Sequence, residues 1–154
     1  MALRNPGGGV GVPGLPMTLP VLHLAATLFM TGVIIFVQVV HYPLMAGVGR
    51  GAYQGYQKAH MRRTTWVVLP GMGVELASAV GLAVLRWDTP DAPLALAGLG
   101  LLGVIWVSTA LVQAPLHGRL VPGFDPEIHR RLVRSNWVRT VAWGLRVPVA
   151  VWLL

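Results

Sequence analysis

Four apolar stretches, each long enough to cross a lipid bilayer, constrain this chain more than any other feature. They cover roughly residues 20–41, 65–85, 93–115 and 137–154, and a transmembrane helix needs about 20 residues. Only 11% of the residues are charged, whereas about 25% is usual in a soluble domain. The sequence therefore predicts an all-α integral membrane protein, a bundle of four transmembrane helices.

The predicted spans account for nearly all of the chain after its first residues. Their connections are short, so residues 20–154 are predicted to form a single four-helix transmembrane domain. Residues 1–19 are rich in glycine and proline and carry one charge, Arg4. Such a segment cannot bury enough apolar surface to fold, and we expect it to be disordered. Met1 and Met17 are both candidate start residues.

The distribution of positive charge predicts the orientation of the spans. The net charge is +7, from 12 Lys and Arg against 5 Asp and Glu. With four spans, the loops after spans one and three lie on one side, and these loops and their flanks hold eight basic residues: Arg50, Lys58, Arg62, Arg63, Arg119, Arg130, Arg131 and Arg134. The opposite side has only Arg4 and Arg86. Basic loops stay cytoplasmic. We therefore expect a multi-pass membrane protein with both termini outside the cytoplasm, and a lipid bilayer rather than nucleic acid as its partner.

The polar residues of each span recur at helical spacing. Residues three, four or seven positions apart share one face of a helix. The four stripes are His23, Thr27, Thr31, Gln38 and His41; His60, Thr64, Val67, Gly71 and Glu75; Trp106, Thr109, Gln113 and His117; and His129, Asn136, Arg139, Trp143 and Arg146. Polar side chains in lipid point into the bundle. The interior is therefore predicted to be hydrophilic.

The last span predicts an ion pair. Arg139 and Arg146 each cost about 2.5 to 3.5 kcal/mol at the centre of a membrane helix, and each Val or Leu returns only about 0.3 to 0.6 kcal/mol. Glu75 is the only acidic residue in any span, and it lies near the same depth as Arg146. We therefore expect a structural ion pair between Glu75 and Arg146.

One membrane face gathers most of the histidines. His41, His60, His117 and His129 fall at the predicted cytoplasmic ends of the spans, and His129 and His23 fit simple interfacial residues. The candidate catalytic residues, as base or relay, are His41, His60, His117 and Glu75. The candidate substrate-binding residues are Gln38, Gln113, Asn136, Arg139 and Trp66.

Three kinds of site fit this constellation. Neutral imidazoles of His41, His60 and His117 are good ligands for zinc, iron or copper, and two opposed histidines can hold a haem. Alternatively, an apolar molecule with a polar edge could bind, with histidine as proton acceptor and Gln, Asn and Arg as donors to an oxyanion. Glu, His and Arg could also relay protons. The sequence itself requires no cofactor, and the chain has no cysteine for thiolate chemistry.

The motifs "QAPLHGRL" at the end of span three and "NWVRTVAW" at the start of span four resemble two groups of proteins. The chain is similar to small bacterial four-span membrane proteins and, more distantly, to the anthrone-oxygenase-like family. The first resemblance implies a location in the bacterial inner (cytoplasmic) membrane. The latter resemblance implies oxygenation of a phenolic substrate without a cofactor, begun by a pocket base. The chain has His117 where that family pattern has Asn, and Asn136 and Trp137 where it has His.

The expected function follows from the pocket and the resemblance together. We expect the protein to bind, and oxidatively convert, a small apolar aromatic or quinone-like molecule at its cytoplasmic side. Two alternatives stay open. The first is a non-catalytic accessory subunit of a larger membrane complex, or a homo-oligomer, whose polar interior only fixes the register of the helices. The second is an electron-transfer protein that binds a metal or haem.

Overall fold

Four long helices make up the part of the chain that the structure, a computed structural model, describes, residues 17–154. They are α1 (Thr18–Met45), α2 (Arg50–Leu85), α3 (Ala92–Arg119) and α4 (Pro126–Trp152). No strand occurs in these residues. The all-α prediction is confirmed. Of the predicted disordered segment, residues 1–19, residues 1–16 lie outside the described residues, whereas Thr18 and Leu19 already belong to α1, so the end of that segment was placed too late.

Three of the helices have the length and composition of membrane spans. These are α1, α2 and α3. The fourth helix does not reach the same hydropathy, because its membrane-length part carries Arg139, Arg146 and Asn136. All three of these side chains are buried, whereas Val141 and Leu145 on the same helix are exposed. Within the predicted span 137–154 the charged side chains of α4 therefore lie on its inward face, whereas Glu127, Arg130, Arg131 and Arg134, ahead of that span, are exposed.

The helices begin where local signals place them. The Asp125 side chain accepts hydrogen bonds from the backbone amides of Glu127 and Ile128 at 2.8 and 2.9 Å, so it caps α4. Pro126 occupies the first helical position, where its missing N–H costs nothing. The helix α2 begins at Arg50 and runs for 36 residues. Both helices therefore begin ahead of the apolar stretches 65–85 and 137–154.

Each helix packs against two neighbours. The helix α1 lies against α2 and α4, and α3 lies against the same two helices from the other side. The segment Thr109–Arg119 of α3 packs mainly on α4 and hardly on α2. The backbones of α2 and α3 therefore lie further apart near the loops that carry most of the basic residues, where only side chains bridge them. We call this end of the bundle, with the α1–α2 and α3–α4 loops, the basic end.

Two helices contain a π-helical turn at matching places. The turns are Val37–His41 in α1 and Thr109–Gln113 in α3, and each ends two residues before a proline, Pro43 or Pro115. A proline inside a helix lacks its N–H and clashes with the carbonyl four residues earlier. Widening the preceding turn relieves this clash, and such π turns are frequent at functional sites.

The polar stripes face the interior, as predicted, except that one residue of the stripe on α2 was assigned to the wrong side of the helix. Among the described residues the buried polar side chains are His23, Thr27, Gln38, Gln57, Glu75, Ser78, Gln113, His129, Asn136, Arg139, Thr140 and Arg146. Val67 was expected on the inward face of α2, but its side chain is 50% exposed. Val68 packs inward instead, because the next inward position after Thr64 falls four residues on.

Candidate functional site

A buried ion pair occupies the half of the bundle away from the basic end. Arg146 Nε donates to Glu75 Oε1 at 3.0 Å, and both side chains are at most 1% exposed. Thr27 Oγ1 donates to the same carboxylate oxygen at 3.0 Å, and Trp143 Nε1 donates to Glu75 Oε2 at 2.9 Å. Arg146 Nη1 also donates to the carbonyl of Gly98. The carboxylate is fully paired, as a buried charge must be.

His23 belongs to this cluster and is not the interfacial residue that its position suggested. Its side chain is buried, and its Nε2 lies 3.5 Å from Arg146 Nη2. Because arginine only donates, Nε2 accepts and the ring proton sits on Nδ1. That proton is donated to Ser78 Oγ at 3.0 Å, and Ser78 donates to the carbonyl of Val74 at 2.8 Å. His23 thus joins the arginine to α2.

A cavity of about 220 Å³ lies nearer the basic end, between α2 and α3. Its walls are mostly apolar, with Met30, Val33, Ile34, Val37, Met61, Val68, Leu69, Met72 and Ala114. Its polar lining consists of Tyr42, His60, Thr64, Thr65, Trp106, Thr109, Gln113, His117 and Arg139. The exposed lining residues Thr65 and Leu69 on α2 and Ala114 on α3 mark its mouth.

Three histidine rings lie side by side at the basic end of this cavity. His41 Nε2 and His60 Nδ1 are 2.9 Å apart, and the hydroxyl of Tyr56 lies 3.4 Å from the same His41 nitrogen. The rings of His60 and His117 have their centres 5.1 Å apart. His60 and His117 line the cavity and His41 does not. His41 can therefore affect a molecule in the cavity only through its contact with His60.

The proton position on His117 follows from its neighbours. Gln57 Nε2 lies 3.0 Å from His117 Nδ1 and 3.1 Å from the carbonyl of His117. The amide nitrogen has two protons and can donate to both, whereas its oxygen would repel the carbonyl. His117 Nδ1 is thus an acceptor, and Nε2–H donates to the hydroxyl oxygen of Tyr42 at 2.9 Å. Tyr42 keeps its own hydroxyl proton for another acceptor.

Two amides behind the cavity hold Arg139. Arg139 Nη1 donates to Asn136 Oδ1 at 3.1 Å, and Asn136 Nδ2 donates to Gln38 Oε1 at 2.8 Å. Gln38 Nε2 then donates to the carbonyl of Val133 at 3.2 Å. The Arg139 guanidinium also lies 5.2 Å from the ring centre of Trp143, a cation–π distance. The guanidinium is therefore fixed in place beside the cavity.

The predicted site residues separate into three groups. His60, His117, Gln113 and Arg139 line the cavity. His41, Gln38 and Asn136 lie behind this lining, and Glu75 lies in the separate ion-pair cluster. Gln113 is itself bonded, because its Oε1 accepts from Ser108 and its Nε2 donates to Ser135.

Two expectations about individual residues are corrected. Trp66 was a candidate for substrate binding, but its side chain is 75% exposed and does not line the cavity. It follows the inward-facing Thr64 by two residues, about 200° around the helix, so it points away. His129, expected to be interfacial, is buried, and its Nε2 donates to the carbonyl of Tyr42 at 2.8 Å. It fixes α4 to the end of α1.

The histidines are not arranged as ligands of one metal ion. Within residues 17–154, no group of three or more His, Asp or Glu side chains is placed to hold a metal. The rings of His41 and His60 stack with centres 4.5 Å apart, which leaves no room for a haem between them. Both nitrogens of His117 are already hydrogen-bonded. The tri-histidine metal or haem interpretation thus finds no support in this geometry.

Tyr42, Gln57 and Trp106 are site residues that the sequence analysis did not select. Their spacing carried a signal, because Tyr42 lies four residues after Gln38, and Gln57 lies three before His60. Tyr42 was overlooked since tyrosine near a span end is usually an interfacial anchor. Trp106 was included in the polar stripe of α3 but not as a binding residue.

Comparisons with known proteins add no family to this description. No protein-family model matches the chain, and neither the curated proteins nor the solved structures include a significant match. The likeness to the anthrone-oxygenase-like family therefore rests only on the two short motifs, and it stays a prediction.

Proposed function

We propose that the protein spans the bacterial inner membrane four times, with both termini outside and the basic end in the cytoplasm. Three helices of sufficient length and apolarity support this proposal. For α4 the support is the exposed face of its apolar part, which includes Val138, Val141 and Leu145, while Arg139 and Arg146 in that part are buried. The basic residues near the α1–α2 and α3–α4 loops favour the orientation.

The function that this geometry supports best is binding of a small apolar aromatic molecule in the cavity between α2 and α3. The observation that carries the proposal is the cavity itself, whose surface is mostly apolar but which polar side chains from all four helices also line, the usual composition of a ligand site. Its volume of about 220 Å³ lies below the roughly 300–1,000 Å³ of sites for drug-sized ligands. The ligand is therefore a molecule of one or two rings.

A reaction on this ligand would begin with His60. This residue lines the cavity, and its Nδ1 lies 2.9 Å from His41 Nε2. A proton accepted by His60 could thus be shared with His41 across this contact. Proton removal from a bound phenol is the step that the resemblance to anthrone oxygenases implies. Oxidative conversion is therefore our second candidate function.

The experiment is to fill the cavity and ask whether a bound molecule is lost. The protein would be extracted from membranes with detergent, purified, and analysed by mass spectrometry for small molecules that co-purify. Ala114→Phe places a ring at the mouth of the cavity, and Ala110→Phe places the same ring one turn earlier on the exposed outer face of α3. We expect the parent chain and Ala110→Phe to retain an aromatic molecule and Ala114→Phe to lose it.

The accessory-subunit alternative makes the opposite prediction. In that case the purified protein would carry no small molecule, Ala114→Phe would behave like Ala110→Phe, and other membrane subunits would co-purify in fixed ratio. If Ala114→Phe and Ala110→Phe retain the same amount of bound small molecule, the proposed function is contradicted.

A further inference from the structure

Three hydrogen-bond donors that line the cavity have no acceptor among the described residues. The Nε of Arg139 and the Nε1 of Trp106 are both buried and have no hydrogen-bond partner among the described residues. The hydroxyl proton of Tyr42 is also free, since its oxygen accepts from His117 Nε2. All three residues line the cavity. A buried donor without an acceptor costs free energy, so this arrangement indicates a missing acceptor.

The positive charge of Arg139 is also unbalanced. The residue is only 6% exposed, yet it forms no ion pair within residues 17–154. Glu75, the one buried carboxylate in that part of the chain, is bound to Arg146. Its contacts are with the amide of Asn136, the ring of Trp143 and the hydroxyl of Tyr42, and none of these groups is a carboxylate. A buried guanidinium is normally paired with an anion.

From these two observations we infer that the ligand is an apolar aromatic acid, bound as its anion. This inference rests on the proposed function and narrows its ligand from any aromatic or quinone-like molecule to one with a carboxylate or phenolate oxygen. That oxygen would accept from Arg139, Trp106 and Tyr42, while the ring would lie against Met30, Val68 and Met72 and the other apolar walls.

The mouth of the cavity suits a ligand of this kind. It opens between α2 and α3 at Thr65 and Leu69, within about two turns of the exposed Arg62 and Arg63. In the proposed orientation this is the cytoplasmic boundary of the bilayer. An apolar acid partitions to that depth with its ring in the hydrocarbon and its charge at the surface, where arginines attract it. It can therefore reach the cavity sideways from the membrane.

The test compares probes of equal shape and different charge. Naphthoate, naphthamide and naphthoquinone would be titrated by calorimetry into the full-length protein in nanodiscs of phosphatidylcholine. A charge-assisted hydrogen bond to a buried guanidinium predicts that naphthoate binds about tenfold or more tightly than naphthamide. Decanoate serves as a fourth probe, to separate an aromatic acid from a lipid-derived acid.

Variants assign the preference to the named groups. Arg139→Gln should reduce the ratio of naphthoate to naphthamide affinity to about one, and Arg139→Lys should retain most of it. Trp106→Phe removes only the N–H and should weaken naphthoate about fivefold. Arg134→Gln removes an exposed arginine of the same helix and should leave both affinities unchanged.

The outcomes distinguish this inference from the proposed function. If the parent chain binds naphthamide or naphthoquinone as tightly as naphthoate, the inference that the ligand is an acid is overturned. The cavity would still be a binding site, so the proposed function would stand. If no aromatic probe binds, both the inference and the proposed function are overturned. Tighter binding of decanoate than of naphthoate would overturn the aromatic part. The parent ratio decides the question even if Arg139→Gln does not fold.

Discussion

Arg139 and Arg146 lie two turns apart on one helix, on the same face and almost equally buried, yet their surroundings differ. Arg146 is bonded to a carboxylate, a backbone carbonyl and an imidazole nitrogen. Arg139 is bonded to one amide oxygen, contacts the hydroxyl of Tyr42 and lies over one aromatic ring, but it has no carboxylate, and its Nε has no partner. The first guanidinium is neutralised within the described chain and the second is not.

This difference separates a structural charge from a binding charge. The pairing of Arg146 is complete without any other molecule, so its role is to hold α2 and α4 in register. The pairing of Arg139 is incomplete, and it lies where the helices leave a cavity. Burial alone therefore says little about the role of an intramembrane arginine. The number of its unused donors and the space beside them are more informative.

The largest expected effect comes from breaking the complete pair. Glu75→Gln leaves Arg146 buried without an anion, and we expect it to cost about 3–5 kcal/mol of unfolding free energy. The measurement is unfolding of the purified protein in mixed micelles titrated with sodium dodecyl sulfate, followed by circular dichroism. Folded yield should fall in parallel.

The double variant Glu75→Gln, Arg146→Gln tests whether charge is the cause. Two neutral amides can hydrogen-bond to one another, so the double variant should regain part of the stability that either single change loses. If the two single effects simply add, the ion pair is not what holds these helices together.

A smaller effect is expected at Arg139. Arg139→Gln removes one hydrogen bond and one cation–π contact, and it also removes an unbalanced buried charge, so the net change should be no more than about 1.5 kcal/mol. Arg146→Gln leaves the Glu75 carboxylate buried without a cation, and it should cost at least about 2 kcal/mol more unfolding free energy. Both variants are measured by the same unfolding titration, without ligand.

Equal losses in the two variants would show that Arg139 has a structural partner in the folded protein, which would remove the basis of the contrast. Addition of naphthoate sharpens the comparison further. It should stabilise the parent chain and Arg146→Gln, but not Arg139→Gln, because a ligand that binds only the folded state raises its stability.

The sequence predicted the paired cluster better than the cavity, for a physical reason. In an apolar helix there is one place for polar residues, so their three- and four-residue spacing places Glu75 and Arg146 on inward faces. The cavity depends instead on how far α2 and α3 separate, which spacing along a chain does not encode. The lack of an anion beside Arg139 likewise becomes visible only when its neighbours from other helices are known.

The smallest expected effect is at Glu127, an acidic residue that also contacts arginines. Its carboxylate accepts from Arg130 and, at 3.3 Å, from Arg131, but all three side chains are more than half exposed.

Hydrogen bonds from Arg130 and Arg131 lower the pKa of Glu127 below its usual value. Any stability from these contacts is therefore present above that usual value and is lost as the pH falls through the lowered pKa. Since water and salt screen exposed pairs, Glu127→Gln should lower the unfolding free energy only slightly at neutral pH. This small difference from the parent chain should vanish in acid. A loss as large as that of Glu75→Gln would mean that the cost at Glu75 reflects the change from acid to amide and not the burial of its partner.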